Sequence, residues 1–332
     1  MLLCFNFKNN KYLYPFLSKM RVYSQPNENL MAYLLLTLTA LFWAGNFVLG
    51  RSMHLVISPI VMAELRWLLA LLLISPFLLP KLKKNKKIII QHWPLLTLLS
   101  ILSVACFNTF IYLGLTITTA TNATIMQSMI PIVILILSAF WLKESVSKQQ
   151  WLGVSISLSG VLILITKGEL LSLLDYTINQ GDIYVLIAVI SWAIYSILLR
   201  YRPAELDGFT FFGVTVLIGS IALLPFSFIE YYYYSSPIIW QNSSILTIIY
   251  MAIFPSILAY IFWNKGVNEL GAAKAGLFIH LMPCFGLILS SFLLNEKIYS
   301  FHIGGILLIF FGIYLAILTK VTFVKIKHQS NS

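Results

Sequence analysis

Charge is scarce in this sequence: Asp, Glu, Lys and Arg make up 10% of 332 residues, against roughly 25% in an ordinary soluble domain. With 59% of positions hydrophobic, too little polar surface remains to cover a soluble core, and that fold class is excluded. Cysteine is nearly absent too. Cys4, Cys106 and Cys284 show no CxxC spacing, so neither a disulfide framework nor a metal site is implied, and Cys106 and Cys284 read as small hydrophobes in apolar stretches. No phosphate-binding P-loop occurs, which removes direct ATP-driven pumping. Nor is there a DDxxD or HxxxxD cluster. Asp175, Asp182 and Asp207 are scattered between apolar stretches, an arrangement poor for metal-assisted or nucleophilic transfer.

What is abundant is long apolar sequence. Ten stretches, near 31–50, 57–79, 94–115, 120–142, 150–166, 182–199, 209–229, 245–263, 272–294 and 301–319, match the roughly 17–25 helical residues that cross a hydrocarbon core. They lack the alternation of barrel strands, and backbone groups in lipid must be paired within each segment, so the spans are helices. The expected fold is an all-α integral membrane bundle of ten transmembrane helices.

The bundle is written twice. Residues 112–166 realign on 264–318 at a constant offset of 152, bringing Gly114 onto Gly266, Ala120 onto Ala272, Ala123 onto Ala275, Pro131 onto Pro283, Phe140 onto Phe292, Glu144 onto Glu296, Gly153 onto Gly305 and Gly160 onto Gly312. Upstream the offset is 149, where Trp43 meets Trp192, Arg51 meets Arg200 and Pro76 meets Pro225. Apolar bias has no reason to register Gly, Pro, Trp and Glu. The chain is therefore a tandem duplication, as many transporters are. The parts read as a 1–30 cytoplasmic tail, a first five-helix repeat at 31–170, a second at 178–320 and a 321–332 cytoplasmic tail. The first thirty residues lack an apolar core long enough for a secretory signal. Met20 and Met31 are alternative starts.

The net charge of +11 does not form a nucleic-acid patch; it follows the helices. With the N-terminus in the cytoplasm, Lys8, Lys11, Lys19, Arg21, Lys81, Lys83, Lys84, Lys86, Lys87, Lys143, Lys148, Arg200, Arg202, Lys265, Lys274, Lys320, Lys325 and Lys327 all fall inside. Only Arg51, Lys167 and Lys297 fall outside, and Arg66 lies within a helix. This positive-inside asymmetry puts both termini in the cytoplasm. Five helices per repeat is an odd number, so the repeats are inverted.

Ionisable groups at membrane depth are costly and are functional candidates by default. Glu64 and Arg66 are two apart on the second helix, face different ways and do not simply pair with each other. One is expected to face a substrate cavity and the other to tie the second helix to a neighbour, the alternative being that both are structural or reach the membrane interface. Trp43, Gly45 and Asn46 on the first helix, with Trp192 on the sixth, mark a close-packed inner face. Asn108 and Tyr112 share a face of the third helix, and Tyr260, Trp263 and Asn264 occupy the equivalent part of the eighth. Together they suit an aromatic, amide-lined pocket or interhelical hydrogen bonding. His280, equivalent to Ser128, is a candidate proton-coupling or structural histidine. Pro131 and Pro283 fall mid-helix and are expected to kink two symmetric hinges. Glu144 and Glu296 read as caps or interface groups, and the small-residue pairs Gly271/Ala275 and Ala272/Gly276 as packing sites.

The LFWAGNFVLGR segment of the first helix, the ELRWLLA segment of the second and the paired Pro-to-Glu segments resemble the EamA family of the drug/metabolite transporter superfamily, over residues 31–320. The resemblance implies a carrier that moves small organic metabolites such as amino acids or nucleobase-like solutes, often outward across the bacterial inner membrane. It implies a cavity between the repeats near Trp43, Asn46, Asn108, Tyr112, Trp192, Tyr260, Trp263 and His280. No cofactor, metal or nucleic-acid partner is expected; the partners are a small-molecule substrate and membrane lipid. The competing readings are a membrane-embedded transferase and a channel or structural subunit. Composition is silent on oligomeric state.

Overall fold

The computed structural model describes residues 26–53, 56–143, 146–175, 178–234, 240–294 and 299–318. The expected caps Glu144 and Glu296, most of the N-terminal tail, Lys297 and the basic C-terminal tail lie outside the described residues. Ten helical spans are present among them: α1 Leu30–Leu49, α2 Pro59–Gln91, α3 Trp93–Ile117, α4 Asn122–Phe140, α5 Lys148–Ile165, α6 Gln180–Tyr201, α7 Gly208–Tyr233, α8 Asn242–Leu270, α9 Ala272–Leu289 and α10 Ser300–Ile317. The protein is a multi-pass, all-α membrane protein. Large apolar side chains such as Leu72, Phe77, Phe140, Phe226 and Leu307 are exposed on its flanks, as a lipid-facing surface requires and a water-facing one forbids.

Polar side chains punctuate the chain between spans. Ser147 and Gln150 form a capping box at α5, and Asn179 and Asp182 form another at α6. Asp207 accepts from the Phe209 and Thr210 N–H groups at the start of α7. These satisfy backbone donors that a helix start leaves unpaired. Asp182, at the start of the expected stretch 182–199, is buried in the first turn of α6 and also accepts from the Thr118 hydroxyl at the end of α3. Glu230, near the end of α7, accepts from the N–H groups of Ile60 (2.8 Å) and Val61 (2.9 Å) and so caps α2 from a neighbouring helix.

The inverted repeat is visible in the packing. α5 lies along α10, where a Cβ on Gly153 would sit 2.6 Å from the Gly312 carbonyl oxygen and one on Gly160 would sit 2.5 Å from that of Gly305. Each glycine thus meets the repeat equivalent of the other. Likewise Gly114 on α3 receives the side chain of Val185 on α6, and its counterpart Gly266 on α8 receives Leu36 on α1; Leu36 and Val185 are themselves equivalent at the offset of 149.

One expectation needs correction. α2 does not end near 79 but continues as a helix of 33 residues through Lys81–Lys87, with Pro76 and Pro80 accommodated inside it, and lysine favours helix beyond them. At about 1.5 Å per residue it outruns a hydrocarbon core of about 30 Å. Pro131 and Pro283 fall where their spans are interrupted. α4 breaks after Gln127 and restarts at Ile130 with Pro131 in its first turn, and α9 passes through a tight 3-10 turn at Phe278–His280 just before Pro283. At these two restarts the proline sits in the first turn, where the N–H it lacks is unpaired anyway, whereas Pro76, Pro80 and Pro225 lie inside helices.

Candidate functional site

Between the two repeats lies a narrow, partly open cavity. Its wall includes four repeat-equivalent pairs: Trp43 and Trp192, Asn108 and Tyr260, Gln127 and Ile279, Ile130 and Met282. It therefore sits on the pseudo-two-fold axis.

Two local backbone features shape this wall. α3 and α8 each widen into a π-helical segment, at Ile101–Cys106 and Ala252–Leu258, which leaves carbonyl groups free for side chains. The Ser103 carbonyl accepts from the Tyr260 hydroxyl at 2.8 Å and from the Asn108 amide at 3.2 Å. Its repeat equivalent, the Pro255 carbonyl, accepts from the Trp43 indole at 3.2 Å. These bonds fix the rings that form the wall. Trp43 and Trp192 meet edge to face with centroids 5.1 Å apart, and Tyr260 stands edge-on to Trp192 at 5.3 Å and to Trp67 at 4.9 Å.

One charge faces this aromatic wall. The Arg66 guanidinium donates to Asn46 Oδ1 at 2.9 Å and to Asn108 Oδ1, and it lies 5.1 Å from the centre of the Trp67 ring and 5.7 Å from that of Tyr112. Both are cation–π distances. The buried Asn108 amide spends its own donors on the Ser103 and Val104 carbonyls, which turns its oxygen toward the guanidinium.

A second void shares Phe47, Gln127, Ile279 and Met282 with the first and adds Val48, Thr124 and Gly286. It leads toward the end of the bundle where α1 finishes and α4 begins. Toward the lysine-bearing end the interior is filled: the Tyr195 hydroxyl donates to Asn264 Oδ1 at 2.6 Å, Trp263 is fully buried and Tyr33 stacks on Phe278 at 5.9 Å.

Seven sequence candidates thus meet around one cavity: Trp43, Asn46, Arg66, Asn108, Tyr112, Trp192 and Tyr260. Trp263 packs behind Trp43 and Trp192, with centroids 5.4 and 5.6 Å away. Glu64 and His280 lie off the cavity wall. Glu64 is buried with neither carboxylate oxygen hydrogen-bonded. The His280 ring bonds Ser157 Oγ at 2.7 Å and the Ser128 carbonyl at 2.9 Å, tying α9 to α5 and α4. Its partner Ser128 is its own repeat equivalent, so this link also lies near the axis. Sequence reasoning passed over Gln127, Ile130, Ile279 and Met282. The offset of 152 that pairs them was the available signal.

Ten apolar spans, two inverted halves and a void on the axis between them define a membrane-transporter scaffold. The model of the EamA-like transporter family matches residues 30–166 and 179–318. The chain belongs to this family and so to the drug/metabolite transporter superfamily. It is 28% identical over 296 residues to the uncharacterized transporter YyaM of Bacillus subtilis, covering 87% of this chain and 94% of that one. It is 29% identical over 290 residues to an uncharacterized transporter of Archaeoglobus fulgidus, covering 86% and 97%. A solved crystal structure superimposes with a TM-score of 0.71 at 16% identity, over 88% of this chain and 97% of that one, a likeness of fold.

Proposed function

We propose that this transporter is a secondary carrier that exports small organic metabolites, such as amino acids or nucleobase-like solutes, across a bacterial inner membrane by alternating access. The observation that carries the reading is the cavity walled by equivalent residues of both repeats and bordered by α4 and α9, each interrupted just before its proline. Inverted repeats around a central site are the common means of exposing one site to two sides in turn. With the lysine-rich end in the cytoplasm, as the positive-inside rule has it, the present void leads outward and the cytoplasmic end is closed by Tyr195 and Asn264. The transferase reading finds little support, because no residue of the cavity wall carries a carboxylate, imidazole, thiol or amine. The test is counterflow in liposomes containing the purified protein, with a panel of labelled amino acids and nucleobases. Saturable exchange of one class is expected; non-saturating flux would replace the carrier with a channel.

A further inference from the structure

From the donors and acceptors left over in the cavity we infer that the transported solute is an organic monocarboxylate with an aromatic or branched apolar body, its carboxylate docked on Arg66. The inference rests on the carrier reading and narrows it.

Apart from the side chain of Gln127, which also lines the cavity, the wall's fixed acceptors are engaged. The side-chain oxygens of Asn46 and Asn108 are both taken by the guanidinium, and the π-segment carbonyls of Ser103 and Pro255 are taken by Tyr260, Asn108 and Trp43. Donors, by contrast, are left over. Arg66 Nε, Trp192 Nε1 and the Tyr112 hydroxyl are buried without a hydrogen-bond partner, and all three residues line the cavity. Arg66 is itself only 3% exposed. A buried donor without a partner is costly, and a buried charge without a counter-charge more so. No carboxylate lines the cavity, and no ion pair joins Arg66 to Glu64, whose oxygens are unpartnered.

A guest that satisfies this wall brings acceptors and one negative charge. A carboxylate does both, because its two oxygens match the planar donor edge of a guanidinium. A phosphate dianion would carry more charge than one arginine balances in a wall otherwise built of rings, aliphatic chains and amides. An amine would add donors and a second positive charge. The rest of the wall, chiefly Trp43, Phe107, Trp192 and Met282, suits an apolar body.

The test uses the full-length protein in liposomes and three labelled solutes of one shape: 3-phenylpropanoate, 3-phenylpropanamide and 3-phenylpropylamine, with 4-methylpentanoate as the branched aliphatic. Counterflow of either carboxylate at a rate at least ten-fold above the amide and the amine is expected. Arg66→Met should then lower carboxylate exchange ten-fold or more, with Arg66→Lys falling between; elution volume and unfolding temperature report whether each variant is folded. The comparison in the unaltered protein decides the matter even if both variants fail to fold. Exchange of the amide, the amine or a nucleobase without either carboxylate overturns the anion site and leaves the carrier standing. No exchange by any of these solutes or by the broader panel overturns the carrier, and this inference with it.

Discussion

Two glycines on α10 separate packing from everything else a glycine does. Gly304 has nothing within 4 Å of where a Cβ would be, whereas at Gly312 that atom would lie 2.5 Å from both the Gly153 carbonyl oxygen and the Ser157 amide nitrogen. Both obstacles are backbone, so no side chain can swing aside. Replacing either glycine by alanine gains the same helix propensity, up to about 1 kcal/mol, and this cancels between the two variants. What remains is the clash. Forcing a methyl into a packed interface costs about 1–3 kcal/mol, so Gly312→Ala should be less stable than Gly304→Ala by that amount, or roughly 5- to 150-fold in the unfolding equilibrium, since 1.4 kcal/mol is ten-fold. Unfolding of both variants in detergent, followed by tryptophan fluorescence, measures the difference. Exchange should also suffer in Gly312→Ala alone, because Ser157 holds the His280 ring. Equal stability of the two variants would refute the claim that α5 and α10 cross backbone to backbone.

At the start of α7, partial burial would raise the Asp207 pKa, but hydrogen bonds from Thr210 and Lys81, with the Lys81 charge, hold it down at about 2. Its capping contribution, about 1 kcal/mol against alanine, is therefore present above the unfolded value of 3.8 and lost as pH falls through about 2; a penalty for Asp207→Ala that vanishes by pH 5 would contradict this. Glu64→Gln keeps the volume of a buried carboxyl that has no partner and lies off the cavity wall, and should leave counterflow at equal pH unchanged; a ten-fold loss in a folded variant would contradict its place outside the cavity. Tyr195→Phe strands Asn264 Oδ1 and should cost about 1–3 kcal/mol, whereas Tyr112→Phe, whose hydroxyl is unpartnered, should cost little in stability. Equal losses in the two tyrosine variants would refute the pairing.

The spans were legible because lipid sets a minimum length for an apolar run, and the symmetry because glycine and proline registered at a fixed offset. Hydropathy was a poor guide to where α2 stops, since Lys81–Lys87 leave the hydrocarbon without leaving the helix. The π segments were illegible in α3, where a slipped hydrogen-bond pattern leaves no compositional trace; in α8 Pro255 was a clue that was not used. At the site, the rule that a polar group at membrane depth is functional selected Arg66, Asn46 and Asn108 along with Glu64 and His280. A sequence cannot tell a cavity wall from a helix interface, because both bury the side chain. Only the contacts separate Arg66, facing a void, from His280, held between two serines.

The two repeats stay identical where backbones touch, and around the cavity they keep the Trp43/Trp192 pair but diverge at its polar positions. Gly153 and Gly160 keep their counterparts Gly305 and Gly312 at the α5–α10 crossing. Around the cavity Asn46 faces Tyr195 in the alignment, Arg66 faces Thr215 and Tyr112 faces Asn264. The divergence accounts for the closure of one end only. In the second repeat the Thr215 hydroxyl bonds the Phe212 carbonyl of its own helix at 2.7 Å, which leaves Tyr195 and Asn264 to join each other. In the first repeat Arg66 occupies the Asn46 oxygen, so the equivalent bond from the Tyr112 hydroxyl is not made. An alternation that closed the other end through that bond would first have to draw Arg66 away from Asn46. If the solute is the carboxylate proposed above, its docking on the guanidinium would supply that pull, at the point where Arg66 on one side and Thr215 on the other break the symmetry of the fold.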